Sequence, residues 1–223
     1  MGGRNFAGFP HIERLADFMA SSDDYESARA VLWGIGQDFT TSYRPGTRFG
    51  PGRIREASYG IEEFSYHSRM TLTDKKFFDL GDVAVVFGDV QETLRRAEEV
   101  ARRLFADGKL SIMMGGEHLV TLPVVKAAYE KYGDDLVLLQ FDAHADLRKD
   151  YLGNPLSHAT AMRRCLDFLP ARNLYQFGIR SGTPEEYEFG MSRCHLFPHE
   201  VLDPLRRVIP TLEGRPVYVT IDI

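Results

Sequence analysis

The stretch Leu136-Val137-Leu138-Leu139-Gln140-Phe141-Asp142-Ala143-His144-Ala145-Asp146 decides the fold. Its first part, 136–141, is a short, mainly apolar run without the regular polar alternation of a sheet that faces water, so it reads as a strand covered on both faces of a parallel sheet. Its second part sets Asp142, His144 and Asp146 at alternate positions. In extended backbone, side chains alternate with period two, so these three project to one side while the small Ala143 and Ala145 leave room on the other. A lone Asp after a strand more often caps the next turn. Three ligand-type side chains in this pattern point to a metal site instead.

Working outward, comparable strands are expected at 30–35, 76–80, 110–114, 174–178 and 217–221. Segments of helical period lie at 90–105, 119–132 and 159–168. The first sets Val90, Leu94, Ala97, Ala101, Leu104 and Phe105 on one stripe, with Arg95, Arg96, Glu98 and Glu99 outside it and Asp107-Gly108 as its stop. Strands alternating with helices predict an α/β fold with a mostly parallel sheet built from right-handed crossovers. With no repeat, low-complexity tract or long linker, 1–223 reads as a single domain. The stretch through Tyr66, richer in Gly and Pro, is expected to wrap the sheet edge. The chain stops at Ile223 directly after what reads as an interior strand, so the expectation is a domain truncated at its C-terminal end.

Composition narrows the function. Apolar residues are 43% and charged residues 26% of 223, the balance of a globular protein. Lys and Arg number 27 against 32 Asp and Glu, a net charge of −5, which gives no reason to expect nucleic-acid binding and mildly favours a small cationic partner. Two cysteines, Cys165 and Cys194, exclude a disulfide framework and suit a reducing cytoplasm. Arg4, Glu13, Arg14 and Asp17 interrupt any apolar leader, Phe6 stands where a myristoylation site after Gly2 needs Ser or Thr, and no apolar run approaches the roughly 20 residues of a membrane span. No membrane partner is expected.

In open α/β sheets, ligands bind beyond the carboxyl ends of the strands. Three predicted strands end there in candidate ligands: 110–114 before Gly115-Gly116-Glu117-His118, 136–141 before the Asp-x-His-x-Asp cluster, and 217–221 before Asp222. Gly115 and Gly116 serve either as turn residues or to let backbone approach closely. Carboxylates with one or two imidazoles suit Mn²⁺ better than zinc. Gly34-Ile35-Gly36 fails as a dinucleotide loop because Phe39 stands where the third glycine belongs. Cys165 reads as a packed thiol, His11, His67, His195 and His199 as surface or packing residues, and Met70, Met113, Met114 and Met162 as core filler.

Gly-Gly-Glu-His at 115–118, Asp-Ala-His-Ala-Asp at 142–146, Ser-His-Ala-Thr at 157–160 and Thr-Ile-Asp at 220–222 together resemble the ureohydrolases, the arginase and agmatinase family. The segment 43–51, with Ile54-Arg55, resembles that family's opening motif, so the resemblance runs from Gly34 to Asp222. It implies a three-layer αβα sandwich, arginase-like, and two Mn²⁺ per subunit held by His118, Asp142, His144, Asp146 and Asp222. The family's last motif is Asp-x-Asp, whose second Asp would be position 224, and a guanidinium-holding Glu lies later still. Asp146 is implied as the ligand that also orients the attacking water, and His158 as proton shuttle or substrate contact; His158 also reads as a polar residue at a helix start. The implied activity is hydrolysis of a guanidino group with release of urea, in a homo-oligomer, trimer or hexamer.

Within the family, arginases hold the substrate α-carboxylate through polar residues whose positions here are Asn154, Leu156 and Arg148, so that set is not in place. The segment 151–160 is similar to bacterial agmatinases, which implies agmatine, converted to putrescine and urea in polyamine biosynthesis. Guanidinobutyrase, formiminoglutamase and arginase remain alternatives, since Arg148 could hold a carboxylate. So do a catalytically dead relative and a deacetylase-like hydrolase with one zinc.

Overall fold

A computed structural model describes residues 8–223; of the leader reading above, Gly2, Arg4 and Phe6 lie outside them. The chain divides into two compact units, Met1–Glu117 and His118–Ile223. Each is built on its own four-stranded sheet.

In the first unit, β1 (Ile12–Glu13), β2 (Ala30–Ile35), α1 (Gly50–Ser58), β3 (Phe64–Ser65), β4 (Met70–Thr71), β5 (Phe77–Val83), α2 (Val90–Ala106) and β6 (Leu110–Gly115) follow in order. The sheet runs β1-β5-β2-β6, parallel except for β1, while β3 and β4 form a separate antiparallel pair. Strand β2 is central and buries Val31, Trp33 and Ile35, as its unbroken apolar run requires. Helix α2 buries Leu94, Ala97, Val100, Ala101 and Leu104. Asp89 caps its start by accepting from Glu92 N at 2.9 Å, and Gly108, at φ +70°, turns the chain away at its end. Met70 is exposed on β4 rather than core filler, because its two-stranded hairpin has no layer over it; Met114 and Met162 are buried.

Helix α1 is fixed to β5 by ions. Arg55, 2% exposed, donates from Nε and Nη2 to the two oxygens of fully buried Asp79 at 2.7 and 2.9 Å. Its Nη1 reaches Asp82 Oδ1 at 2.7 Å. Asp79 also accepts from Phe18 N and Gly81 N. The close approach read for the Gly-Gly pair is real at Gly116, where a Cβ would lie 2.0 Å from Gln37 O, the oxygen that accepts from Glu117 N.

The second unit contains α3 (Thr121–Tyr132), β7 (Val137–Phe141), α4 (Ala161–Cys165), β8 (Leu174–Ile179), α5 (Pro184–Arg193), β9 (His195–Pro198), α6 (Leu202–Val208) and β10 (Val217–Ile221). Its sheet, β10-β7-β8-β9, is parallel throughout. The helix expected over 159–168 is shorter: a 3₁₀ turn at His158–Thr160 leads into α4, and the chain turns out at Leu166 ahead of Pro170, which cannot continue a helix. Among the described residues, no helix is long and apolar enough to cross a membrane.

Removing the Arg55 guanidinium leaves Asp79 buried without its partner. Arg55→Met is expected to cost about 3–5 kcal/mol, and Arg55→Lys to recover only part of it because an ammonium cannot form the fork. Urea unfolding followed by the fluorescence of Trp33, the single tryptophan, reports on this sheet directly.

Candidate metal centre

Parallel pairing of β10 with β7 sets Ile221 opposite Phe141, so the next residues, Asp222 and Asp142, emerge side by side at the carboxyl ends of adjacent strands. Asp222 N donates to Phe141 O at 3.0 Å and continues that ladder. His118 opens the 3₁₀ turn before α3. Its Nε2 lies 2.9 Å from Thr220 Oγ1, on the β10 residue two before Asp222, and Thr220 Oγ1 is 3.2 Å from Thr121 Oγ1. This contact aims the opposite ring nitrogen at the carboxylates.

His118 Nδ1 faces Asp146 Oδ2 at 2.8 Å, Asp142 Oδ2 at 3.1 Å and Asp222 Oδ2 at 3.6 Å. It is buried and makes no aligned hydrogen bond to any of them. Burial opposes the charged ring, but the carboxylates of Asp142 and Asp146 outweigh it and push the imidazolium up to about 10. Burial pushes the Asp146 carboxyl up, with the nearby charge of Asp142 adding to it and His118 and His158 opposing. Asp142 is driven down despite its burial, chiefly by His118. Asp222 is raised, by burial and then by the charge of Asp142. An excess of converging negative charge around one misaligned nitrogen is what a bound cation would satisfy. His118, Asp142 and Asp146 form a group with ligand atoms mutually within 4.8 Å.

The two oxygens of Asp142 face different imidazoles. Oδ2 faces His118, while Oδ1 lies 3.6 Å from His144 Nδ1 and accepts from His144 N at 2.8 Å. His144 is exposed, its side chain at 62%, and Asp222 is partly exposed at 43%, while His118, Asp142 and Asp146 are buried. The structure therefore brings His118, Asp142, Asp146 and Asp222 together and sets His144 at the outer side of Asp142. The three-way alternation read from an extended 142–146 is not the cause of this arrangement. The segment leaves strand geometry after Phe141, and Asp146 stands at φ +51°, a left-handed conformation that Asp tolerates better than most residues. That turn carries the Asp146 carboxylate back to His118, and its carbonyl accepts from Arg163 N at 3.0 Å.

His158 is half-buried, its ring edge-on to Tyr151 at 5.1 Å. Arg148 donates from Nε to Glu186 Oε2 at 3.2 Å and lies over the Tyr151 ring at 5.3 Å. Glu186, 4% exposed, also accepts from Leu147 N and Thr183 N, and so ties the ligand loop to the capped start of α5. Sequence reasoning missed Glu186, Gln140 and Gln176, and it quoted Thr220 only within the Thr-Ile-Asp motif, without its contact to His118. Thr183-Pro184-Glu185-Glu186 carries a helix-start signature that could have located the first. Cys165 is buried, which raises its thiol, and it is a packing residue.

The arginase-family profile matches residues 28–223. The chain belongs to the arginase family. An agmatinase of Bacillus subtilis is 51% identical over 207 residues, 92% of this chain and 71% of the relative. One from Bacillus anthracis is 47% identical over the same shares. The crystal structure of a putative agmatinase from Clostridium difficile superposes with a TM-score of 0.86 at 37% identity, covering 89% of this chain and 72% of that one. This arginase-family hydrolase thus has the mostly parallel α/β fold that its motifs imply, and its candidate ligands stand where that fold exposes strand ends.

Because Asp222 holds its proton more tightly folded than unfolded, its charge opposes folding once pH exceeds the ordinary carboxyl range. In the presence of a chelator, Asp222→Asn is therefore expected to raise the melting temperature near neutral pH. The gain should vanish in acid, where the wild-type carboxyl is protonated. Thermal melts across pH check it.

Proposed function

We propose that this chain hydrolyses agmatine to putrescine and urea, with two Mn²⁺ ions held by His118, Asp142, His144, Asp146 and Asp222. The observation that carries the reading is the Asp142 carboxylate, whose oxygens face two imidazoles on opposite sides within a cluster of excess negative charge. Two cation positions sharing one carboxylate would fit it. Hard oxygen donors with two imidazoles favour Mn²⁺ over a cysteine-rich zinc site. Bound divalent ions supply an activated water and polarise the guanidinium carbon.

The remaining work falls to the chain's own residues. Thr220 holds the His118 ring, and the left-handed turn at Asp146 orients a carboxylate that also accepts a proton from the attacking water. His158, at the start of the 3₁₀ turn before α4, delivers a proton to the leaving amine. Water adds to the guanidinium carbon, the C–N bond to the alkyl amine breaks, and urea and a diamine result.

Arg148 supports the choice of agmatine over guanidino acids. Its guanidinium is already engaged by Glu186 and Tyr151 and is not a spare cation awaiting a carboxylate. A substrate carboxylate would instead meet the Asp cluster unpaired, whereas the dicationic amine is attracted by it. The agmatinases among the relatives at about half identity point the same way.

With Mn²⁺-loaded enzyme, kcat/KM for agmatine is expected to exceed that for arginine, 4-guanidinobutyrate and formiminoglutamate by at least roughly 100-fold. Preference for an acid overturns the substrate and leaves the reaction class standing. Asp142→Asn and Asp146→Asn should each abolish urea release with an unchanged far-UV circular dichroism spectrum; full turnover in Asp146→Asn refutes the ligand set.

A further inference from the structure

Behind the ligand loop, two glutamines are buried in adjacent strands and have no part in the chemistry above. Gln140 on β7 and Gln176 on β8 are register partners, both inaccessible to solvent. Gln140 Nε2 donates to Asp142 Oδ2 at 2.8 Å and to the His144 carbonyl at 3.0 Å. Gln176 Nε2 donates to Gln140 Oε1 at 2.5 Å and to the Ala145 carbonyl at 2.7 Å. Both N–H groups of each amide are thus committed, directly or through the other glutamine, to 142–145.

The orientation is dictated by the acceptors. Turning the Gln140 amide over would set its oxygen against a carboxylate and a carbonyl, with no donor among them. Gln176 Oε1 is buried and accepts nothing, an unmade bond that a pair serving only to fill the sheet could avoid. Each amide polarises the next, from Gln176 to Gln140 to Asp142.

We propose that Gln140, backed by Gln176, is a positioning residue that fixes the Asp142 carboxylate and the loop through Ala145 in ion-binding geometry, and so sets divalent-cation affinity. The inference rests on the reading of His118, Asp142, His144 and Asp146 as a cation site. A carboxylate free to rotate about its side-chain bonds must be ordered by the incoming ion. One held by a neutral N–H keeps its other lone pairs for that ion, and its torsion is set beforehand.

The test is Mn²⁺ titration of the chelator-stripped full chain, read by loss of the free-ion electron paramagnetic resonance signal, with thermal melts in chelator and in Mn²⁺. The wild type is measured first: no Mn²⁺ binding overturns the metal-site reading and this inference with it. Gln140→Met, similar in length but without donors, is expected to weaken Mn²⁺ affinity roughly 10- to 100-fold. Its Mn²⁺-induced rise in melting temperature should shrink beyond any loss seen in chelator. Gln176→Met keeps the two bonds that Gln140 donates, to Asp142 and His144, while removing the one it accepts, and is expected to weaken affinity less, roughly 3- to 10-fold. The double variant should bind no more weakly than Gln140→Met, since both act through one path. Wild-type Mn²⁺ affinity in a folded Gln140→Met overturns the proposal while the metal-site reading stands. Should that variant not fold, wild-type affinity in Gln176→Met overturns it equally.

Discussion

One matter of register governs the centre: parallel pairing places Ile221 opposite Phe141, and two aspartates leave neighbouring strands at the same level. Slipping β10 by one residue would turn Asp222 to the other face and send Thr220 away from His118, because side-chain direction inverts with every residue along a strand. The ladder that pairs β10 with β7 and the convergence of the carboxylates are therefore specified together.

Register alone gives two carboxylates. The third requires the chain to abandon the strand. From Asp142 to Asp146 the backbone is pinned at several points: Asp142 N to Phe177 O, Arg180 N and Ser181 N to Ala143 O, and Leu147 N to Glu186. These bonds hold the left-handed turn at Asp146 that an isolated peptide would rarely populate. Strands β7 and β8 supply one side of this pinning and the capped start of α5 the other, so the site is set by rigid elements although its residues lie on a loop.

What was legible in the sequence follows from these facts. The apolar runs of β2, β7 and β8 read as strands because both faces are covered and no alternation was needed, whereas β10, at the edge of its sheet with Val217, Val219 and Ile221 exposed, read as a strand from its β-branched residues. Strand β9 did not, because His195–Pro198 is four residues long and begins with a histidine stacked on Tyr175. Ligand chemistry and the family resemblance single out 118, 142, 144, 146 and 222 as candidates, and the structure groups His118, Asp142 and Asp146 with Asp222 beside them. Their arrangement was not legible: alternation predicts three equivalent side chains, while the turn buries Asp142 and Asp146 and leaves His144 exposed. Gln140 and Gln176 each precede a phenylalanine in an apolar strand, a polar residue where burial is certain. Only the strand order reveals that they face one another.

The chain clusters carboxylates in two contrasting ways, one of them wholly enclosed and the other opening to solvent at Asp222. Asp79 is wholly enclosed, and every charge on it is answered: two nitrogens of Arg55 take both its oxygens, with two backbone N–H groups besides. Such a group has nothing left to bind, and its worth is positional, locking α1 to β5. Asp142, Asp146 and Asp222 converge on a single imidazole whose nitrogen aligns with none of them. Had the cluster evolved only to hold the sheet, a guanidinium like that of Arg55 would neutralise it with far better geometry. Leaving carboxylates short of positive charge costs stability, and the proposed cation from outside the chain would supply the charge that the set lacks.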